Sequence, residues 1–287
     1  MLDDSVILTR SSGVSAEGVK DQYADGKAAK VWEIFIGDKR SRTDNYRNFL
    51  VNLLKKHGCK RILDVACGTG VDSILLVEEG FEVVSADISD KMLKYALQER
   101  WERRKEKAFD NWVIEEANWL TVPQELGHLI GDGFDAVICL GNSFAHMTDS
   151  YGDQRDQKLA IANFERCVKP GGLLLIDHRN YDNILKTGST PSKCIYYNND
   201  HMSDIKTSVL YVGGKATQVI LDYSISNGNG ETSEFRLSYY PHKLEVFKRI
   251  LEEVFGKKAK YDIYGDFKPL TETATPGFYI HVVQKAK

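Results

Sequence analysis

The hydrophobic pattern along the chain switches repeatedly between two periods. From residue 61 the chain reads "RILDVAC", a short apolar run without a polar face, which predicts a strand buried on both sides. "VDSILLVEEG" follows on a helical repeat and ends at Gly80, and "FEVVSAD" predicts a second strand. "ISDKMLKYALQERWERRKE" predicts a helix with Ser89 as its N-cap and Met92, Leu93, Ala96 and Leu97 as its buried stripe. "WVIEEANW" and "FDAVICLG" predict the third and fourth strands. "RDQKLAIANFERCVKPGG" predicts a helix stopped by a Pro-Gly-Gly turn, and "LLLIDHRN" a fifth strand. Such alternation predicts an α/β fold, doubly wound around a mostly parallel sheet.

After Asp182 the texture changes. Residues 183–240 carry no long helical pattern and are rich in Tyr, Thr, Ser, Val and Ile. "TSVLYVGGKATQVILDYSIS" predicts a hairpin turning at Gly213-Gly214, and "ETSEFRLSYY" another antiparallel strand. "HKLEVFKRILEEVFG" returns to a helix, and "KYDIYGDF" and "FYIHVVQK" close the domain as strands. The predicted organisation is an N-terminal segment over 1–37, a core over 38–182 and 241–287, and a small antiparallel β insertion over 183–240.

Composition narrows the function classes. The 287 residues are 42% hydrophobic and 28% charged, with 38 Lys and Arg against 41 Asp and Glu, so the net charge is −3. This near-balance argues against a nucleic-acid partner, which favours a basic excess. No apolar run reaches the roughly 18 residues of a membrane span. The N-terminal stretch carries acids and too short an apolar run for a secretory signal, and the five cysteines show no paired spacing. A reduced, cytoplasmic protein is expected. The seven histidines form no metal-binding spacing, so no metal is expected.

The candidate chemistry centres on "DVACGTGVD", residues 64–72, where a glycine loop joins the first strand to a helix. That is the crevice position at which open α/β sheets bind ligands. A dinucleotide fingerprint would continue with a third glycine, but Ser73 stands there, and the residues of a phosphate-binding P-loop are absent. Asp64 precedes the loop, where an acid opposes a pyrophosphate and can hold the loop or accept from a cationic ligand end. Asp87 closes the second strand, where a carboxylate can accept from both hydroxyls of a ribose. Asn118 and Trp119 follow the third strand and suit an adenine, the amide reading an edge and the indole packing a face. Trp119 can equally be core, His146 can serve only as a cap, and the acids can be ordinary strand-end residues.

These residues resemble the cofactor loop of the class I S-adenosylmethionine methyltransferases, which implies a seven-stranded, Rossmann-like sheet and S-adenosyl-L-methionine as methyl donor. "DQYADGKAAKVWEIFIGDKRSRT", "EEANW", "FDAVICLGNSFAH", "GGLLLIDHRNYDNIL" and "FRLSYYPH" narrow this. Together they are similar to the glycine N-methyltransferases of animals over nearly the whole chain. The resemblance implies cofactor contacts at Tyr23, Trp32, Arg42, Ala66, Asp87, Asn118, Trp119, Leu140 and His146. It implies acceptor contacts at Asn142, Arg179, Tyr197, Tyr223 and Tyr239, with glycine as acceptor and Asn142 and Arg179 positioning it. Phe35 departs from the family pattern, which has Tyr there. It further implies inhibition by folate, control of the ratio of methyl donor to product, and a homotetramer whose N-terminal segments reach into neighbouring subunits.

The acceptor assignment has its own chemical sense. Arg179 ends the fifth strand, where these sheets bind substrates, and a guanidinium holds a carboxylate bidentately. Methyl transfer is an in-line displacement that alignment accelerates, so no strong general base is named. Two readings compete: a methyltransferase for another small amine such as sarcosine, and a protein that binds folate or cofactor with little turnover. A dehydrogenase fits less well, because the glycine fingerprint is incomplete.

Overall fold

In the computed structural model, which describes residues 7–10, 42–191, 195–196, 202–226 and 232–287, the strands assort into two sheets. Strand β1 (Ile7–Arg10) comes first, then helix α1 (Asp44–Lys56) and strand β2 (Arg61–Asp64). Helix α2 (Val71–Glu78), β3 (Glu82–Asp87), α3 (Asp90–Glu102), a single turn α4 (Lys107–Asp110) and β4 (Val113–Glu116) follow. Two more single turns, α5 (Val122–Glu125) and α6 (Gly127–Ile130), lead into β5 (Phe134–Cys139). Next come α7 (Arg155–Cys167), β6 (Val168–Arg179), α8 (Tyr181–Thr187), β7 (Met202–Val212), β8 (Lys215–Ser226) and β9 (Thr232–Tyr239). Helix α9 (Leu244–Phe255), β10 (Lys260–Gly265), β11 (Lys268–Pro269) and β12 (Phe278–Gln284) complete the described chain.

The larger sheet has the order β11-β10-β12-β6-β5-β2-β3-β4. From β6 to β4 every pairing is parallel, whereas β12 runs antiparallel between β6 and β10. The seven expected strands are present, with the two-residue β11 as an additional edge. The smaller sheet, order β1-β7-β8-β9, is wholly antiparallel. Its β7–β8 turn is the expected Gly213-Gly214, with φ of 56° and 75°, a left-handed pair that only glycine adopts without strain. Strand β1, for which the sequence shows no strand period, pairs through Ile7–Arg10 with Val209–Val212 of its own chain.

Apolar side chains fill both faces of the large sheet. On one face, Leu50 and Leu54 of α1 and Leu76 of α2 meet Trp112 and, from the small sheet, Leu221 and Tyr223. On the other, Phe164 of α7 and Phe247, Ile250 and Leu251 of α9 pack with Phe144. Each such side chain contributes roughly 1.5–3 kcal/mol through burial. Behind β6, His178, His242 and His281 are buried around Phe247, their rings 4.9, 4.8 and 5.0 Å from it. His178 Nδ1 donates to the Arg179 carbonyl at 2.8 Å, so its Nε2 accepts from His281 Nε2 at 3.1 Å.

Three local expectations change. Leu97 is 44% exposed rather than part of the α3 stripe, which is Met92, Leu93 and Ala96. Ser89 occupies the N-cap of α3 but makes no side-chain cap; its N–H donates instead to Asp87 Oδ1 at 2.9 Å. Pro170, Gly171 and Gly172 already belong to β6 rather than to a turn. A Cβ at Gly172 would stand 2.9 Å from the Asp135 carbonyl oxygen, so the glycine lets β6 lie against β5. Among the described residues no helix is long and apolar enough to cross a membrane.

Candidate active site

The carboxyl ends of β2, β3, β5 and β6 lie along one edge of the sheet, and the sheet changes winding direction between β2 and β5. Ligands of open α/β sheets bind at that switch point. On the β2 side stands the glycine loop. Gly68 has φ of 53° and its N–H donates to Asp87 Oδ2 at 2.9 Å. Gly70 has φ of 88° and precedes α2, and a Cβ there would meet Trp112 at 2.9 Å and Ala96 at 3.0 Å. The glycines thus serve the loop's left-handed backbone and its close approach to the core, and Asp87 ties the loop to the end of β3.

Asp64 ends a buried chain of hydrogen bonds. Trp112 Nε1 donates to Ser85 Oγ (2.8 Å), Ser85 to Ser73 (2.7 Å), and Ser73 to Asp64 Oδ2 (2.7 Å). Oδ1 accepts the Ala66 N–H at 3.2 Å. Burial, reinforced by the charge of Asp72, pushes the Asp64 carboxyl up to about 7, against the pull of Ser73 and Ala66. Arg42 is paired with Asp72 at the start of α2: its NH2 donates to Oδ2 at 2.9 Å and Nε lies 2.8 Å from Oδ1.

Of the other residues expected around a cofactor, Asn118 accepts the Leu120 N–H on Oδ1 at 2.9 Å. Trp119 donates its indole N–H to the Val65 carbonyl at 2.6 Å and stacks on Phe144 at 5.6 Å. These contacts brace the β2 loop against the end of β4 and leave Trp119 half-buried. Leu140 is buried just beyond β5. His146 lies in a short 3-10 turn, 4.7 Å from the Tyr239 ring, and burial lowers its pKa to about 4, leaving a neutral imidazole. Tyr23, Trp32 and Tyr197, together with Phe35, lie outside the described residues.

The acceptor candidates converge beyond β5 and β6. Asn142 has φ of 64°, a conformation favourable to Gly and tolerated by Asn. Its Oδ1 accepts from the Arg179 N–H and from the Tyr181 hydroxyl, both at 3.0 Å, while its Nδ2 is buried without a hydrogen-bond partner. Arg179 is buried, its guanidinium 4.7 Å from the Phe278 ring of β12. Tyr223 and Tyr239, from β8 and β9, bring their hydroxyls within 3.1 Å of each other. The small sheet reaches the site through Tyr239 and through the Tyr240 N–H, which donates to the Ala145 carbonyl at 2.7 Å.

Sequence reasoning missed Asp177, Tyr181 and Tyr196, all buried in this cluster. Asp177 Oδ1 accepts the Asn142 N–H at 2.8 Å, and Oδ2 accepts the Tyr196 hydroxyl. Burial raises its carboxyl to about 7, opposed by Tyr196, the N–H groups of Asn142 and Gly141, and the charge of Arg179. The signal for Asp177 was an acid inside the otherwise apolar "LLLID".

Residues 56–229 match the family model described as a methyltransferase domain. A glycine N-methyltransferase of Rattus norvegicus is 59% identical over 98% of this chain and 99% of its own, and one of Homo sapiens is 57% identical over the same shares. The chain belongs to the glycine N-methyltransferase family. A glycine/sarcosine N-methyltransferase of the same wider family, from Halorhodospira halochloris, is 35% identical over 92% of this chain and 89% of its own. In fold, the CcbJ methyltransferase of Streptomyces caelestis superposes with a TM-score of 0.67 at 15% identity, covering 94% of this chain and all of that one (100%).

Proposed function

We propose that the protein transfers the methyl group of S-adenosyl-L-methionine to the amine of glycine, producing sarcosine and S-adenosylhomocysteine. The observation that carries this reading is the buried Arg179 at the end of β6, whose N–H holds the Asn142 amide while the amide's Nδ2 stays partnerless. A cation and an amide donor together suit a small carboxylate. Asp87 suits the ribose of the donor, since it is a carboxylate at the carboxyl end of β3, beside the glycine loop whose Gly68 N–H it accepts. The donor supplies an electrophilic methyl on a sulfonium. The neutral glycine nitrogen attacks the methyl carbon as the carbon–sulfur bond breaks, and the proton on the new ammonium leaves to solvent. Arg179 and Asn142 fix one end of the line of attack, and Tyr223 and Tyr239 wall the other side against water.

The same proposal extends to residues outside the described set, Tyr23, Trp32 and Tyr197. Inhibition by folate, control of the donor-to-product ratio, a homotetramer and a cytoplasmic location belong to it as well, and rest on the likeness of the whole chain to its family. The test is product formation from labelled donor across glycine, sarcosine and other small amines, with methylamine as competitor. Glycine is expected to turn over and methylamine, lacking a carboxylate, to compete poorly. Equal competition by methylamine overturns the Arg179 assignment, and absence of glycine turnover overturns the reaction.

A further inference from the structure

Asp177 and Arg179 project from the same face of β6, two residues apart. Between them they fix Asn142: Asp177 takes its backbone N–H at 2.8 Å and the Arg179 N–H meets its Oδ1 at 3.0 Å. The left-handed backbone at Gly141 and Asn142, with φ of 79° and 64°, is thereby held in a state that turns Nδ2 inward, buried and partnerless. The other oxygen of Asp177 accepts from Tyr196. The Tyr196 ring is wedged against Tyr46, Phe267 and Phe278, at 4.8, 5.1 and 5.2 Å, and Phe278 is the ring beneath Arg179.

Tyr196 also faces the cofactor half. Its carbonyl accepts the Thr43 N–H at 3.0 Å, and the Ile195 carbonyl accepts the Thr43 hydroxyl at 2.7 Å. Thr43 caps α1 and follows Arg42, whose partner Asp72 sits in the first turn after the glycine loop. Hydrogen bonds and the covalent links through Tyr196 and Thr43–Arg42 together join Asn142 to Asp72, the residue beside the donor loop.

We propose that Asp177 is the positioning residue that aims the Asn142 amide at the acceptor carboxylate, and that the Tyr196–Asp177 hydrogen bond couples the acceptor half of the site to the cofactor half. The inference rests on the proposed binding of glycine by Asn142 and Arg179. The titratable and charged groups around Asp177 are Arg179 on the same strand, Cys139 on β5, Tyr181 on α8 and Tyr196 itself. Since Tyr196 pulls the Asp177 carboxyl down towards ionisation, losing its hydroxyl moves the titration of Asp177 upward.

The experiment compares Tyr196→Phe and Asp177→Asn with the unaltered enzyme. It measures kcat and KM for glycine from pH 6 to 9, donor affinity by calorimetry without acceptor, and the thermal midpoint. Tyr196→Phe is expected to raise the glycine KM about tenfold, while donor affinity without glycine stays within about threefold. Bound glycine should then strengthen donor binding less than in the unaltered enzyme, as reciprocity of coupling requires. The acid-side break in kcat/KM for glycine should move to higher pH in Tyr196→Phe and vanish in Asp177→Asn. A glycine KM within about twofold and an unmoved break overturn the positioning role, as does an equal fall in donor and glycine affinity with a lowered midpoint. No glycine turnover by the unaltered enzyme overturns the acceptor assignment and this inference together, which separates that failure from the others.

Discussion

Asp87 holds the Gly68 and Ser89 N–H groups, one on each oxygen, so the carboxylate proposed for the ribose also sets the shape of the glycine loop. Asp87→Ala is expected to lose about 1–3 kcal/mol of donor binding, read by calorimetry on a folded variant, and unchanged affinity would remove Asp87 from the site. This residue was legible in the sequence because a strand end, a loop and an acid at a fixed separation determine one another locally. The positions of Arg179, which ends β6, and Asn142, just after β5, follow from the same local pattern, whereas their proposed roles do not. Asp177, Tyr181 and Tyr196 were not, because their roles depend on contacts across 19 to 39 residues that no local period encodes. Trp119 is a conspicuous aromatic just after a strand, and the sequence did not show that its indole N–H donates to the Val65 carbonyl.

Among the elements, the junction of the glycine loop with α2 is the tightest. Gly70→Ala places a methyl 2.9 Å from Trp112 on a backbone with φ of 88°. The left-handed conformation costs about 1–2 kcal/mol and the overpacking about 1–3 more. Gly80, after α2, has φ of 87° but nothing within 4 Å of its would-be Cβ. Gly80→Ala should therefore cost only the first of these, about 1–2 kcal/mol. Denaturant titration of both variants checks this, and equal losses would show that the contact with Trp112 relaxes freely. The elements were readable from periodicity because buried parallel strands and amphipathic helices each keep their own repeat. The start of β6 was misjudged because Pro170, Gly171 and Gly172 look like a turn, yet extend a strand whose glycine fits against Asp135.

For the whole molecule, the buried titratable groups set an acid limit. His146, His178, His242 and His281 all have pKa values lowered by burial, so the native state leaves them neutral where the unfolded chain takes up four protons. Depressed histidines contribute stability that is complete above 6.5 and is lost as pH falls towards their native values. Asp64 and Asp177, raised to about 7, act oppositely with two protons held in the native state. The difference is two protons, so stability should fall by about 3 kcal/mol per pH unit on acidification from about 6 to 5. Chemical denaturation at several pH values tests this, and His281→Gln should about halve the slope; a flat profile would contradict it. The reversed strand β12 has a consequence of another kind, for assembly during synthesis. It follows all its neighbours in the chain, yet it is inserted between β6 and β10 and supplies Phe278 beneath Arg179. A nascent chain can wind β2 to β6 early, but the proposed seat of the acceptor stays open until β12 has emerged. The proposed acceptor site is thus incomplete until β12 has been made, and chains terminated before it are left with the edge of β6 exposed to other strands.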